Sequence, residues 1–220
     1  MEIRGPHQEI YNAILRVCFG YFRRRRVAFI WKTLRLTTDM RVLDVGGMAQ
    51  FWGVAEGMGL PIPDVTILNI KPASERLLSN MKWIVGDGGD LPFPEQSFDM
   101  VVCNSVIEHV GSKREIIAKE ILRVAPQYFV QTPYKWFPIE PHLIAPFVHW
   151  FPASVRVKLV RWFTVWGLLK HPTSAQCQEI VDEIHLLTRS EVRKLFPHAR
   201  ILTERFCGMP KSIYAIADKR

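Results

Sequence analysis

Residues 85–110 read VGDGGDLPFPEQSFDMVVCNSVIEHV. The first half, GDGGDLPFPEQSFD at 86–99, carries three glycines, two prolines and four acidic residues. It is too polar and too broken for a helix or a strand. MVVCNSVIEHV follows at 100–110, an apolar run that ends in polar residues. A buried parallel strand has this form when it delivers Asn104, Glu108 and His109 to its carboxyl end. In an open α/β sheet that edge is where ligands bind.

Strand and helix signals alternate on both sides of this stretch. Upstream, RVLDVGG at 41–47 reads as a first strand that turns on a glycine pair, and 50–58 as a short helix. DVTILNI at 64–70 is a second strand, MKWIVGD at 81–87 a third, and FDMVVCN at 98–104 the fourth. Downstream, 112–123 reads as a helix, with Ser112 as N-cap and Glu115 in capping-box spacing. VAPQYFVQTP at 124–133 is a fifth strand, stopped by Pro133. A helix at 174–184, a capped helix in TRSEVRKLFP and strands near 199–206 and 211–217 close the chain. Before the first strand, residues 7 to about 35 read as helical. Ile10, Ile14, Leu15, Val17 and Cys18, then Val27, Ile30, Trp31 and Leu34, recur at helical spacing, and Gly20 is a candidate break. The alternation predicts one α/β domain over 1–220 with a right-handed, mostly parallel sheet and helices on both faces. Residues 1–38 form an N-terminal helical segment, and 133–172, rich in Trp and Pro, an insertion over the ligand edge.

The phrase LPFPEQSFDMVVCNSVIEHV, with VLDVGG ahead of it, resembles class I S-adenosylmethionine-dependent methyltransferases of the type 11-like group. TPYKWFPIEPH at 132–142 is similar to a phrase in a bacterial subgroup of that family. The resemblance covers roughly residues 40–217. It implies a Rossmann-like seven-stranded sheet with the last strand antiparallel, S-adenosyl-L-methionine as cofactor, and methyl transfer as the activity.

On the cofactor side the resemblance implies Asp44, Gly46 and Gly47, where a glycine turn lets backbone N–H groups approach a ligand at the positive end of a helix. Asp44 is placed to hold the cofactor's amino group. The family pattern has further glycines where this chain has Met48 and Gln50. Asn69 stands where an acidic residue usually holds the ribose hydroxyls; an amide accepts such a bond without charge assistance, or Asn69 merely caps the strand. Asp87, flanked by Gly86 and Gly88, matches the adenine contact, against the alternative of a turn aspartate bonding its own backbone. Asn104 completes the implied set at the end of the fourth strand.

Methyl transfer needs mainly alignment, although an oxygen or nitrogen nucleophile can require a base. His142 and His109 are the candidate catalytic residues, His109 divided between a catalytic and a structural role. Glu108 reads as an acceptor for backbone N–H groups. TPYKWFPIEPHLIAPFVHWFP at 132–152 has prolines that fix the backbone and places Tyr134, Trp136, Glu140 and His142 in an acceptor-binding lid, or else in a packed aromatic connection. Residues 154–169, SVRVKLVRWFTVWGLL, read as one helix, apolar nearly all round. Burial is its default, and contact with a lipid surface the sharper alternative.

Composition is that of an ordinary globular protein, 48% apolar and 23% charged. Cys18, Cys103, Cys177 and Cys207 are widely spread, which suggests reduced thiols in a cytoplasmic setting and no zinc or other metal motif. No secretory-signal layout and no eighteen-residue apolar run are visible. The net charge of +8 has an obvious source in Arg23–Arg26. Four consecutive arginines splay around a helix, so a solvated basic face is the plain reading, and an anionic membrane or nucleic-acid contact the alternative. The chain lacks the Asn/Asp-Pro-Pro-aromatic tetrapeptide of base-amino methyltransferases, so nucleic acid is disfavoured. The expected acceptor is a small molecule, a glycan or a lipid-linked saccharide. A catalytically weakened descendant that binds a lipid or protein partner, and an RNA-binding methyltransferase, are the competing expectations.

Overall fold

The computed structural model describes residues 6–218, the side chains of 6–19 excepted. Seven strands make the main sheet: β1 (Arg41–Val45), β2 (Asp64–Asn69), β3 (Met81–Val85), β4 (Met100–Asn104), β5 (Gln127–Pro133), β8 (Arg200–Phe206) and β9 (Met209–Ala217). Two short strands, β6 (Ile139–Glu140) and β7 (Ala145–Pro146), pair antiparallel beside it. The helices are α1 (Pro6–Leu34), α2 (Ala49–Glu56), α3 (Arg114–Val124), α4 (Ala153–Phe163), α5 (Val165–Lys170), α6 (Ser174–Glu183) and α7 (Arg189–Leu195).

The main sheet runs β3-β2-β1-β4-β5-β9-β8. β1 to β5 pair in parallel, and β9 runs antiparallel to both its neighbours. The strand order reverses between β1 and β4, and in such sheets the crevice for a ligand opens at the carboxyl ends of those strands. Register aligns those ends: Asp44 lies beside Val102 and Asn69 beside Val85, while Asn104 lies beside Gln131.

Strand side chains alternate between faces, and β4 shows the consequence. Val101 and Cys103 enter one core with Leu43, Ile121, Val130 and Phe196. Met100 and Val102 enter the other, with Ile30, Trp31, Trp52, Phe129 and Ile216. A smaller cluster of Leu143, Val148, Val160, Cys177 and Val181 holds the segment after β5 to α6.

Several sequence expectations change. Gly20 does not break α1, which is continuous; a single interior glycine disfavours helix by only about 1 kcal/mol, less than the burial of Phe22, Val27, Ile30 and Leu34 returns. Ile10, Ile14, Leu15, Val17 and Cys18 lie outside the described side chains. Ser112 is no N-cap, because residues Gly111–Lys113 form a 3-10 turn and α3 starts at Arg114 without a side-chain cap. Residues 154–169 are not one buried helix. Thr164 is extended, at φ −123° and ψ 150°, and its Oγ1 accepts from Gly167 N at 2.8 Å, so α4 ends and α5 begins there. Trp162 and Phe163 are 61% and 68% exposed. No helix of the described residues is long and apolar enough to cross a membrane.

Candidate active site

The turn after β1 is built around one carboxylate. Asp44 is fully buried; its Oδ2 accepts from Trp52 Nε1 at 2.8 Å, and its Oδ1 has no hydrogen-bond partner. Burial, opposed by the Trp52 bond, pushes the Asp44 carboxyl up to about 7. Both glycines of the turn are required by the space around them. Gly46 has φ +70°, and a β-carbon there would lie 2.7 Å from Val106 Cγ2. At Gly47 a β-carbon would fall 1.9 Å from Asp44 Oδ2.

The neighbouring loops are tied to this turn. Asn69 Nδ2 donates to Gly47 O at 3.0 Å, and its Oδ1 accepts from Lys71 N at 3.1 Å. The amide thus serves as a staple between two loops. Asp87 accepts from Lys113 Nζ at 2.6 Å and from Gly89 N at 2.9 Å. These bonds, Lys113 first, hold its carboxyl below the usual range. A β-carbon on Gly88 would touch Val45 at 3.0 Å, so the Asp87 loop presses directly on β1. Met48, Ile70 and Val85 leave apolar surface exposed along the same edge.

These residues fit S-adenosylmethionine. A buried carboxylate oxygen without a partner suits an ammonium group, the glycine turn gives access to backbone donors, and the exposed apolar side chains offer a face for adenine. One feature competes. Glu75 accepts from Gln50 N at 2.8 Å in the first turn of α2, where an incoming carboxylate would be favoured.

On the other side of Asn104 lies a cleft of about 380 Å³, lined by residues of α1, the ends of β4, β5 and β9, and the segment 134–142. Arg26 Nη1 donates to Asn104 Oδ1 at 2.8 Å, and its Nη2 pairs with Glu204 at 3.2 Å. Lys211 Nζ stands 3.4 Å from the same carboxylate and 4.0 Å from the Phe22 ring centre. Burial opposes ionisation of Glu204, but Arg26 and Lys211 outweigh it and hold its carboxyl low. Two cations around one anion leave the cleft positive. Arg23, on the same face of α1, donates to Gln50 Oε1 at 3.1 Å. An apolar recess of about 320 Å³ adjoins, formed by Tyr21, Phe22, Phe137, Ile139, Ile144 and Phe206. Ser105 closes β4 in the left-handed region at φ 56°, with its Oγ on Gln131 Oε1 at 2.7 Å, the kind of strained backbone that gathers at ligand sites.

Two histidines meet at the cleft wall. Nε2 of His109 lies 3.2 Å from Nε2 of His142. The far nitrogens face carboxylates: His142 Nδ1 is 2.7 Å from Glu140, and His109 Nδ1 is 3.1 Å from Glu183. Burial disfavours the charged form of His142, but Glu140, with Glu108 and Glu183, overcomes it and raises its pKa. Burial and then the charge of His142 lower that of His109, against Glu183 and Glu140. Glu140 also accepts from Leu143 N at 2.6 Å. Glu108, read from sequence as an acceptor for backbone N–H groups, has its own backbone N–H beside its carboxylate and is bound mainly by a side chain. Its Oε2 accepts from Thr132 Oγ1 at 3.0 Å, and its Oε1 is 3.9 Å from His142 Nε2.

Asn104, Tyr134 and His142 therefore line the cleft. Trp136 does not; it lines a separate groove with Trp150, Arg156 and His185. Arg26, Lys211, Glu204 and Glu183 escaped sequence reading. The arginine run was visible, but only the i, i+3 relation of Arg23 and Arg26 places those two on one helix face. The solvated-face reading holds for Arg24 and Arg25, which are exposed, and fails for Arg26, which is 8% exposed.

Residues 58–127 match the family profile described as "Methyltransferase domain". The chain is thus similar to methyltransferase domains over that stretch. It is 30% identical over 106 residues to "Uncharacterized methyltransferase YcgJ" of Bacillus subtilis (strain 168), a match covering 44% of this chain and 40% of that protein. The chain spans less than half the length of the curated relatives it matches. A crystal structure of a SAM-dependent methyltransferase from Aquifex aeolicus resembles it with TM-score 0.53 at 17% identity, over 86% of this chain and 88% of that one. A Burkholderia thailandensis 1,6-didemethyltoxoflavin-N1-methyltransferase, solved with bound 1,6-didemethyltoxoflavin and S-adenosylhomocysteine, gives TM-score 0.54 at 15% identity, over 100% of this chain and 92% of that one. The architecture is the S-adenosylmethionine-dependent methyltransferase fold.

Proposed function

We propose that this protein is an S-adenosylmethionine-dependent methyltransferase whose acceptor sits in the cleft beside Asn104. The observation that carries the reading is Asp44, a fully buried carboxylate with one oxygen unpartnered at the glycine turn after β1. Asp44 would hold the cofactor's ammonium, Asp87 and Gly88 its adenine, and Asn69 and Asn104 the parts between. The bound sulfonium supplies an activated methyl group. The chain supplies alignment, which is most of what such a transfer requires, and a proton acceptor. His142, steadied by Glu140, faces the cleft, with His109 behind it.

The cleft favours one kind of acceptor among small molecules, glycans and lipid-linked saccharides. Arg26 and Lys211 suit an anionic group, and the adjoining recess suits an apolar portion. A small amphiphile or a lipid-linked saccharide meets both demands. Residues 133–172 form the acceptor-side lid. Exposed Trp162 and Phe163 beside Arg161 support a peripheral contact of that lid with an anionic membrane. Glu75 at α2 favours a second reading, a weakened descendant in which the chain's own carboxylate holds the cofactor's place.

Calorimetric titration with S-adenosylmethionine and S-adenosylhomocysteine tests the proposal. Binding of both is expected; no heat and no thermal shift at millimolar cofactor overturns it. His142→Ala is expected to lower turnover by roughly 10²–10⁴-fold with cofactor affinity intact, and loss of cofactor affinity in that variant would make His142 structural.

A further inference from the structure

We propose that Nε2 of His109, Nε2 of His142 and Oε1 of Glu108 bind a divalent transition-metal ion that opens onto the acceptor cleft. Its role rests on the methyltransferase reading; its binding does not. One ligand atom from each of the three residues lies within 4.8 Å of the other two. The two nitrogens are 3.2 Å apart, and His142 Nε2 is 3.9 Å from the Glu108 oxygen. Bonds of about 2.0–2.2 Å in a tetrahedral site put ligand atoms about 3.4 Å from one another, so small side-chain shifts complete the set.

Two further observations support an ion at this point. Each ring has a carboxylate beside its other nitrogen: Glu140 hydrogen-bonds His142 Nδ1 at 2.7 Å, and Glu183 approaches His109 Nδ1 to 3.1 Å without hydrogen-bond geometry. Carboxylate–histidine pairs of this kind orient imidazoles around metals. Glu108 has an exposure of 0%, is fixed through its other oxygen by Thr132, and presents Oε1 to the cluster without a hydrogen bond. A buried carboxylate oxygen so placed is satisfied by a proton or by a cation, and a cation can bridge it to the two rings. Without an ion, the ring-to-ring contact is a hydrogen bond through one proton, and the ion replaces that proton. Asp44 Oδ1 and Glu75 Oε1 are also buried without a hydrogen-bond partner, and neither belongs to a group of potential metal ligands among the described residues.

Two imidazoles and one carboxylate suit Zn²⁺, Co²⁺ or Fe²⁺ better than Mg²⁺ or Ca²⁺. Three protein ligands leave a coordination position free. His142 lines the cleft, so that position faces an acceptor. A hydroxyl bound there becomes more acidic. With Nε2 on the ion, His142 acts through the metal instead of taking the proton itself: the proton leaves to solvent, the oxygen lone pair forms the bond to the methyl carbon, and the electrons of the broken C–S bond stay on sulfur. The site therefore selects an oxygen nucleophile.

The test uses the full chain without a histidine tag, treated with chelator and titrated with Co²⁺ while its visible d–d bands are followed; Zn²⁺ is titrated in parallel by calorimetry. Saturable binding at a single site with bands of four- or five-coordinate Co²⁺ is expected in the absence of cofactor. His142→Ala and Glu108→Gln should abolish the bands. Glu183→Gln, half-exposed and safe for folding, should weaken binding by about 10–100-fold while preserving them. No spectral change at saturating Co²⁺, or equal affinity in wild type and all three variants, overturns the proposal. Neither outcome touches the cofactor titration, which tests the methyltransferase reading separately.

Discussion

Arg26 Nη1 donates to Asn104 Oδ1 at 2.8 Å, which fastens the first helix of the chain to the carboxyl end of a central strand. The other end of the same guanidinium pairs with Glu204. The cleft is thus walled by a buried, hydrogen-bonded charge cluster, and its charges are mutually dependent.

That dependence is measurable. Arg26→Met should lower stability by about 3 kcal/mol, because removing one partner strands a buried charge. Glu204→Gln in the same background should add less than it does alone, with a coupling of about 0.5–3 kcal/mol. Urea unfolding of the four proteins checks this, and strict additivity would show that the pair is not coupled.

Asp44 links stability to pH with a definite sign. Its folded-state carboxyl is pushed up to about 7, above the unfolded value of about 4. The folded state therefore holds that proton more tightly. The associated stability is fully present below about pH 4 and is lost as pH rises through about 7. Asp44→Asn removes the loss, so the cofactor-free variant should gain on the order of 1–3 kcal/mol over wild type at pH 8, and little at pH 4. The same variant should bind S-adenosylmethionine poorly. Thermal melts across pH decide it, and parallel curves for the two proteins would refute the assignment.

Asp87→Ala should weaken S-adenosylmethionine by roughly 1–3 kcal/mol, the range for a polar contact left unmade. Lys113→Ala, which removes only the partner at 2.6 Å, should free the carboxylate and leave affinity equal or better. A loss in both variants would mean that the ion pair merely shapes the loop.

Membrane contact predicts salt-sensitive co-sedimentation with anionic vesicles. Each basic residue near such a surface contributes about 1 kcal/mol, and Trp162→Ser with Phe163→Ser should reduce binding further by removing the exposed apolar pair. No pelleting at low salt removes the membrane reading and leaves a soluble acceptor.

The sheet was legible because parallel strands buried on both faces leave continuous apolar runs, and β1 to β5 each lie within three residues of the expected bounds. The capped helices α6 and α7 were equally legible, α7 through its Thr188–Glu191 box. The break at Thr164 was hidden, since its backbone angle answers to a close crossing: a β-carbon on Gly167 would lie 2.0 Å from Val160 O. At the site, Asp44, Gly46 and Gly47 were visible as a local turn. The histidine pair was not, because periodicity and short spacings carry nothing about a contact between residues 109 and 142. Arg26, Lys211 and Glu204 were hidden for the same reason, as charges from α1, β9 and β8 meet only after the sheet has closed.

The Arg26–Glu204 pair, 178 residues apart in sequence, also bears on how the chain is made. Synthesis runs from the N-terminus, and domains tend to fold as units. Arg26 emerges early, while its carboxylate belongs to the penultimate strand. Until β8 and β9 are released and dock on β5, Arg26 has no carboxylate to pair with and its guanidinium stays in water. The cleft beside Asn104 is therefore completed late, and a ribosome-bound or truncated chain ending before β8 would have β1 to β5 but lack the wall of that cleft formed by Lys211 and Ser212 and the charge cluster on Glu204.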